Sequence, residues 1–142
     1  MLFRSLSGQR IQSLADARDA ARRIQELGAR AVVITGGHGL DAYEYEGSGL
    51  RAEGSSIEIV DLLVDGDAVY EFRTPRIDTR NTHGTGCTFA SAVAAHLARG
   101  RTLPEAAERA QHYVAGAIAH ALAIGHGHGP LDHFWQTRSP VL

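Results

Sequence analysis

The chain has 142 residues, of which 44% are hydrophobic and 21% charged, and its net charge is −2. This length suits one domain with a hydrophobic core and is short for two. A weakly acidic chain argues against a nucleic-acid partner, because proteins that bind the phosphate backbone usually present a basic face. The single cysteine excludes an internal disulfide. No apolar run approaches the roughly 20 residues of a membrane helix, so we expect a cytoplasmic protein without a membrane partner.

The first predicted elements are a helix and a strand. Ser13 and Asp16 have the spacing of a capping box, so the helix is expected to begin near Leu14. Residues 31–35 then form a continuous apolar run of strand length. A run without polar alternation that follows a helix is typical of a buried parallel strand. Ligands of open α/β sheets gather at the carboxyl ends of strands, which makes the turn at Gly36 a candidate binding loop.

The middle of the chain is predicted to form a β-hairpin. Residues 57–64 have the composition of a strand, Asp65-Gly66 is a strong hairpin turn, and residues 67–73 alternate as the returning strand. The glycine-rich residues 39–56 show no clean periodicity. Either a mobile flap or a partly disordered insertion fits that segment.

The most informative stretch is Asn81–Thr88, which leads into an alanine-rich helix that stops at Gly100. A glycine-rich turn at a helix N-terminus leaves backbone N–H groups unpaired, and together with the helix dipole they form an anion site. Cys87 lies in the first turn, where the same dipole favours the thiolate. Alternatively, the glycines only allow close packing of the helix, and Cys87 is a small buried apolar residue. From the residues alone, both interpretations stay open.

The C-terminal part is predicted to be a helix followed by a histidine-rich tail. Thr102, with Glu105 three residues later, has the spacing of a second capping box. The three histidines of the tail could supply three ligands for zinc. No cysteine or carboxylate accompanies them in a recognised spacing, so no metal site is predicted. Phe134 and Trp135 are expected to pack on the domain. The tail histidines are His126, His128 and His133.

The stretch Asn81–Thr88 resembles the signature of the hydroxymethylpyrimidine/phosphomethylpyrimidine kinases of thiamine biosynthesis, a branch of the ribokinase-like superfamily. Gly36-Gly37-His38 after a strand, and the tail Gly125–Pro130 with His133, agree with this resemblance in the same order. Members of that family are nearly twice as long, and the part that aligns is their C-terminal half. The resemblance implies an α/β fold, a three-layer ribokinase-like sheet with helices on both faces that lacks its N-terminal half. Residues 1–142 would then be one partial, nucleotide-binding domain.

The resemblance also implies an activity, the ATP-dependent phosphorylation of hydroxymethylpyrimidine and of its monophosphate, with Mg²⁺ as a second cofactor. The backbone N–H groups of residues 84–87 would stabilise the transferred phosphoryl group. Cys87, where the wider superfamily has Asp, would accept the proton of the acceptor hydroxyl. The catalytic residues are therefore expected to be Gly84, Thr85, Gly86 and Cys87. The nucleotide-binding residues are expected to be Thr35, Gly36, Gly37, His38, Asn81, Thr82 and His83. Thr35 departs from the lysine that the family usually has before its Gly-Gly-His motif.

Three hypotheses follow for the function of the chain. It is the nucleotide-binding half of a pyrimidine kinase, it phosphorylates pyridoxal or a related ring alcohol, or it is a non-catalytic nucleotide-binding or regulatory domain. The first requires a complementing N-terminal half or a homo-oligomer, because half of a sheet must cover its open edge. Thr35 and the short length favour the third. The expected partners are a small-molecule pyrimidine and a protein that completes the sheet.

Overall fold

The structure is a computed structural model that describes residues 6–8, 11–36 and 58–137. The chain divides into two compact units, residues 1–76 and 77–142. The first contains α1 (Leu14–Glu26), β1 (Ala31–Ile34), β2 (Glu58–Asp65) and β3 (Ala68–Pro75), and the second contains α2 (Thr85–Ala98) and α3 (Leu103–Ala119). In the described part of the chain, no helix has the length and hydropathy that crossing a bilayer requires. That the whole chain forms one partial domain stays a prediction, and the prediction for residues 39–56 lies outside the described residues.

Helix α1 begins where its capping sequence predicts. The Ser13 hydroxyl accepts the backbone N–H of Asp16 at 3.1 Å, which satisfies a donor that the helix itself leaves unpaired. One face of α1 carries four buried residues, which pack with buried side chains of β1 and β2. This cluster is the core of the first unit and contains Ala17, Ala20, Ala21, Ile24, Val32, Ile34, Leu62 and Val64.

The predicted hairpin is confirmed, with its turn one residue later than expected. Strands β2 and β3 pair antiparallel, and Asp65 lies opposite Ala68. The two turn residues are therefore Gly66 and Asp67. Gly66 has φ of 57°, a left-handed conformation that glycine adopts at little cost. That requirement, rather than the Asp-Gly pair as such, sets the position of the turn.

Among the described residues, strand β1 lacks the parallel neighbour that its sequence predicted. It pairs antiparallel with β2, in the order β1-β2-β3, and its other edge carries no strand among the described residues. Val32 and Ile34 are buried, whereas Ala31 and Val33 are only half-buried. A continuous apolar run indicates burial but carries no information on the direction of the neighbouring strand. The prediction was therefore wrong for the described edge of β1.

The second unit is built from two packed helices. The predicted capping box of α3 is confirmed, because the Glu105 carboxylate accepts the backbone N–H of Thr102 at 3.0 Å. Alanines 106, 107, 110 and 117 are fully buried along α3. Helix α2 is less covered, with Phe89 buried and Leu97 42% exposed. The buried residues of α2, Thr88 and Phe89, therefore lie only at its N-terminal end.

Candidate functional site

The loop before α2 is held in a left-handed turn. Gly84 is the N-cap of the helix, with φ of 90° and ψ of 4°, a conformation that side chains disfavour. Thr88 donates two hydrogen bonds to the Gly84 carbonyl oxygen, at 2.8 Å from its hydroxyl and 2.9 Å from its backbone N–H. The Thr85 N–H donates to the Thr82 carbonyl oxygen over a longer 3.4 Å. These bonds close the first turn of α2 and fix the backbone of the loop.

Three backbone donors at the start of α2 have no partner in the part of the chain that the structure describes. Within the described residues, the N–H groups of Gly84, Gly86 and Cys87 have no hydrogen-bond acceptor. They lie at the positive end of the α2 dipole. Unpaired donors at a helix N-terminus are the geometry that binds phosphate. The loop therefore has the chemistry of the predicted anion site, although the Thr85 N–H is already engaged.

The alternative interpretation of the glycines finds no support at Gly86. A Cβ atom added there would meet no other atom within 4 Å, so close packing does not require a glycine at this position. The space in front of the Gly86 backbone is open to a ligand.

Cys87 is a free, exposed thiol, so the interpretation of this residue as a buried apolar one was wrong. It lies on the wall of a cleft of about 610 Å³ between α2, α3 and the tail. The thiol can therefore approach a molecule in the cleft, and the unpaired N–H groups lie beside it. The cleft is lined by Cys87, Thr88, Ser91, Ala92, Ala95, His96, Tyr113, His133 and Gln136.

The other predicted residues of the signature lie directly before this turn. Asn81 and Thr82 are half-buried and His83 is exposed. The Asn81 N–H donates to the Thr79 hydroxyl at 3.1 Å. The His83 N–H donates to the carbonyl oxygen of Gly129 at 3.2 Å. The structure thus brings residues 81–87 together in one loop and adds a contact with the tail that the sequence did not predict.

The predicted residues at the end of β1 belong to the first unit. Thr35 is exposed and Gly36 is buried, and a side chain on Gly36 would collide with the Val60 carbonyl oxygen. The Gly36 N–H donates to Oδ1 of Asp61 at 2.8 Å. Sequence analysis missed Asp61, although a carboxylate within an apolar strand is an available signal. Gly37 and His38 lie outside the described residues.

The histidine-rich tail gives no metal centre in the described ranges, where no three His, Cys, Asp or Glu side chains are grouped so that they could hold a metal ion. Trp135 packs as expected, since its ring stacks on His120 with centroids 5.2 Å apart. Phe134 does not, because it is 69% exposed. An aromatic pair in sequence predicts burial of both rings, but here Trp135 is half-buried and Phe134 is exposed.

The family model described as phosphomethylpyrimidine kinase matches residues 3–132 of the chain. The chain belongs to the phosphomethylpyrimidine kinase family. It is 47% identical over 128 residues to the thiamine biosynthesis bifunctional protein ThiED of Geobacter sulfurreducens. The aligned region covers 90% of this chain and 23% of that protein. It is 42% identical over 130 residues to the hydroxymethylpyrimidine/phosphomethylpyrimidine kinase of Streptomyces coelicolor. That alignment covers 92% of this chain and 42% of the kinase.

Solved structures confirm the α/β, ribokinase-like fold expected of a phosphomethylpyrimidine kinase family member. The pyridoxal kinase from Staphylococcus aureus in complex with AMP-PCP and pyridoxal is similar, with a TM-score of 0.81 and 34% identity. That likeness covers 96% of this chain and 46% of the kinase. The chain therefore spans less than half the length of these relatives, a smaller share than the sequence predicted.

Proposed function

We propose that the chain is the nucleotide-binding half of an ATP-dependent kinase that phosphorylates hydroxymethylpyrimidine and its monophosphate. The observation that carries the proposal is the set of unpaired N–H groups at Gly84, Gly86 and Cys87, next to a cleft that contains a free thiol. Relatives named for this activity and a similar kinase in complex with ADP support it.

In the proposed mechanism, the loop stabilises charge and Cys87 moves a proton. Negative charge on the equatorial oxygens of the transferred phosphoryl group is met by N–H donors that folding has already oriented. Sγ of Cys87 would accept the proton of the acceptor hydroxyl while the hydroxyl oxygen forms a bond to the γ-phosphorus of ATP, and the bond from that phosphorus to the ADP oxygen breaks, so that ADP leaves. Asn81, Thr82 and His83 form the approach to this loop and are proposed to contact the nucleotide. Thr35 and Gly36, at the end of β1 in the first unit, are separately proposed as nucleotide-binding residues.

Mg²⁺ would neutralise phosphate charge in such a reaction. The described residues contain no grouping of His, Cys, Asp or Glu that fits a metal ion, so no protein ligand for Mg²⁺ is assigned to them and no step is derived through it.

A complementing polypeptide is part of the proposal. The chain spans 42% of the Streptomyces coelicolor kinase, and the second unit exposes large apolar side chains. We propose that the N-terminal half of a kinase domain covers this surface, with a second copy of the chain as the alternative occupant. The exposed residues are Leu97, Leu122, Ile124 and Phe134. A cytoplasmic location is also proposed, because a single free thiol suits a reducing compartment.

The proposal is tested by ADP release from the purified chain, with and without the N-terminal half of the Streptomyces coelicolor kinase as a separate polypeptide. Release that depends on hydroxymethylpyrimidine in either arrangement supports the kinase. AMP-PCP binding without release in both arrangements supports the non-catalytic nucleotide-binding domain instead. Absence of AMP-PCP binding in both overturns the proposal. Sedimentation over a wide concentration range separates a homo-oligomer from a monomer that awaits its other half.

Pyridoxal phosphorylation is the second candidate, favoured by the 34% identity to a kinase solved in complex with pyridoxal. No residue of this chain is assigned to binding the aromatic ring of the acceptor. Competition between hydroxymethylpyrimidine and pyridoxal in the same ADP-release assay decides between them, since the true acceptor has the larger kcat/KM.

A further inference from the structure

The tail of the chain lies along the loop that carries the unpaired donors. The His83 N–H donates to the Gly129 carbonyl oxygen at 3.2 Å, and His83 and Pro130 form an isolated parallel bridge. Nδ1 of His128 lies 3.1 Å from the Arg80 carbonyl oxygen, so this nitrogen carries the proton and donates. Three consecutive tail residues therefore contact the two sides of Asn81.

Beyond these contacts, the tail is anchored on α3. The Asp132 N–H donates to the Ala117 carbonyl oxygen at 3.0 Å, and the Tyr113 hydroxyl donates to the His133 carbonyl oxygen at 2.8 Å. Leu131 and Asp132 are 5% and 6% exposed. The tail thus connects the loop to a rigid helix.

The structural reason for a glycine at position 129 differs from that at Gly125 and Gly127. Gly125 has φ of 75°, and a Cβ atom on Gly127 would meet nothing within 4 Å. Gly129 has no positive φ but is buried. A Cβ atom there would collide with Oδ1 of Asn81 and lie 2.8 Å from its Cγ. The carboxamide of Asn81 therefore occupies the space that a side chain at position 129 would need.

We propose that Gly129 is a positioning residue for Asn81 in the anion loop. This inference rests on the proposed function, in which Asn81 contacts the bound nucleotide. The missing side chain at Gly129 lets the Asn81 carboxamide lie against the tail, and the bond from His83 holds the backbone that continues into Gly84. Any side chain at position 129 rotates the carboxamide out of this place.

The test is a double-mutant cycle on the full chain, with the dissociation constant of AMP-PCP as the readout. Gly129→Ala is expected to raise the constant at least tenfold, while the matched control Gly127→Ala changes it less than twofold. Asn81→Ala leaves only its Cβ atom, 3.5 Å from the added methyl group, so both alanines fit. Adding Gly129→Ala to the Asn81→Ala variant should therefore raise the dissociation constant of AMP-PCP less than twofold. A tenfold loss in both backgrounds would overturn the inference, and so would an unchanged constant in Gly129→Ala.

A second readout separates this inference from the proposed function. If the unmutated chain binds no AMP-PCP, the proposed function fails, and the side-chain amide resonances of Asn81 in ¹⁵N-edited NMR still report its position. They are expected to shift in Gly129→Ala and not in Gly127→Ala; unshifted resonances overturn the inference. If Gly129→Ala does not fold, Asn81→Ala/Gly129→Ala should fold again, because the collision is removed. An unfolded double variant would contradict the assignment.

Discussion

The backbone N–H of Gly36 donates a 2.8 Å hydrogen bond to Oδ1 of Asp61. Asp61 lies on β2 and is 6% exposed, so the bond is formed away from water, where an unmade hydrogen bond is costly. It joins the end of β1, where a nucleotide-binding turn is proposed, to the neighbouring strand. Asp61 is therefore a residue that holds the start of that turn in place.

Asp61→Ala is expected to lower the free energy of unfolding by about 1–3 kcal/mol, because the buried N–H of Gly36 loses its acceptor. Asp61→Asn keeps an oxygen acceptor and should cost less than half as much. Urea unfolding followed by circular dichroism measures both. Asp19→Asn, on the exposed face of α1, is the control and should change stability by less than about 0.5 kcal/mol. Equal losses at positions 61 and 19 would contradict the role of Asp61.

Gly86→Ala separates ligand binding from folding. The added methyl group meets no atom within 4 Å, and the helix gains from alanine, so stability should rise by about 0.5 kcal/mol or stay constant. The same methyl group would occupy part of the open space beside the Gly86 backbone, where the bound phosphate is proposed to lie. AMP-PCP affinity is therefore expected to fall at least tenfold, measured by calorimetry. Unchanged affinity would place the nucleotide elsewhere.

Cys87→Ala tests the proton transfer. The thiol is exposed, so its removal should leave the melting temperature within about 2 °C. Pyrimidine-dependent ADP release should vanish, while AMP-PCP affinity stays within a few-fold. Ser91→Ala, on the same wall of the cleft, is the matched control and should keep at least half the rate. Comparable turnover in Cys87→Ala would remove its assignment as the general base.

Gly116→Ala should destabilise the second unit, against the usual effect in a helix. Alanine normally stabilises a helix interior by about 0.5–1 kcal/mol relative to glycine. Here the added methyl group collides with the indole of Trp135, whose Cη2 would lie 2.6 Å away. Overpacking of this kind costs about 1–3 kcal/mol. In a Trp135→Ala background the collision is absent, and the sign should reverse. Thermal unfolding of the four proteins measures this, and a loss of stability in both backgrounds would show that another contact is responsible.

Acid should weaken the first unit through Glu71. The Arg73 guanidinium, hydrogen-bonded to Glu71 at 2.8 Å, together with Arg18 holds the pKa of that carboxyl below its ordinary value of 4.5. The unfolded chain therefore binds the proton more readily, so this stabilisation is complete above about pH 4.5 and is lost as pH falls through the folded pKa. Glu71→Gln should flatten the dependence of unfolding free energy on pH below about 4.5.

The control for this pH series is Asp67→Asn, an exposed residue of the hairpin turn. Its profile should follow that of the unmutated chain. Because exposed ion pairs are screened, 1 M salt should reduce the difference between Glu71→Gln and the unmutated chain. A pH profile of Glu71→Gln that matches the unmutated chain would remove Glu71 as the source of the acid sensitivity.

The elements that the sequence predicted correctly depend on contacts between residues that are only a few positions apart in the chain. The caps at Ser13 and Thr102 each involve a partner three residues away. The hairpin depends on a glycine at one position with positive φ, and the turn before α2 on Gly84. In each case the interacting groups belong to the same few residues, so residue type and spacing suffice to predict the structure.

The sequence by itself determined the family, the hairpin, the helix starts and a loop with the composition of a phosphate site. Only the tertiary structure decided that β1 pairs antiparallel, that Leu97 is exposed, that Asp61 bonds Gly36, and that the Asn81 side chain lies against Gly129. Asp61 acts on a residue 25 positions away, and the tail contacts the loop across 48 positions. No local pattern encodes such pairs, because which distant groups meet depends on how the elements pack, and packing minimises the free energy of the whole chain rather than of any segment.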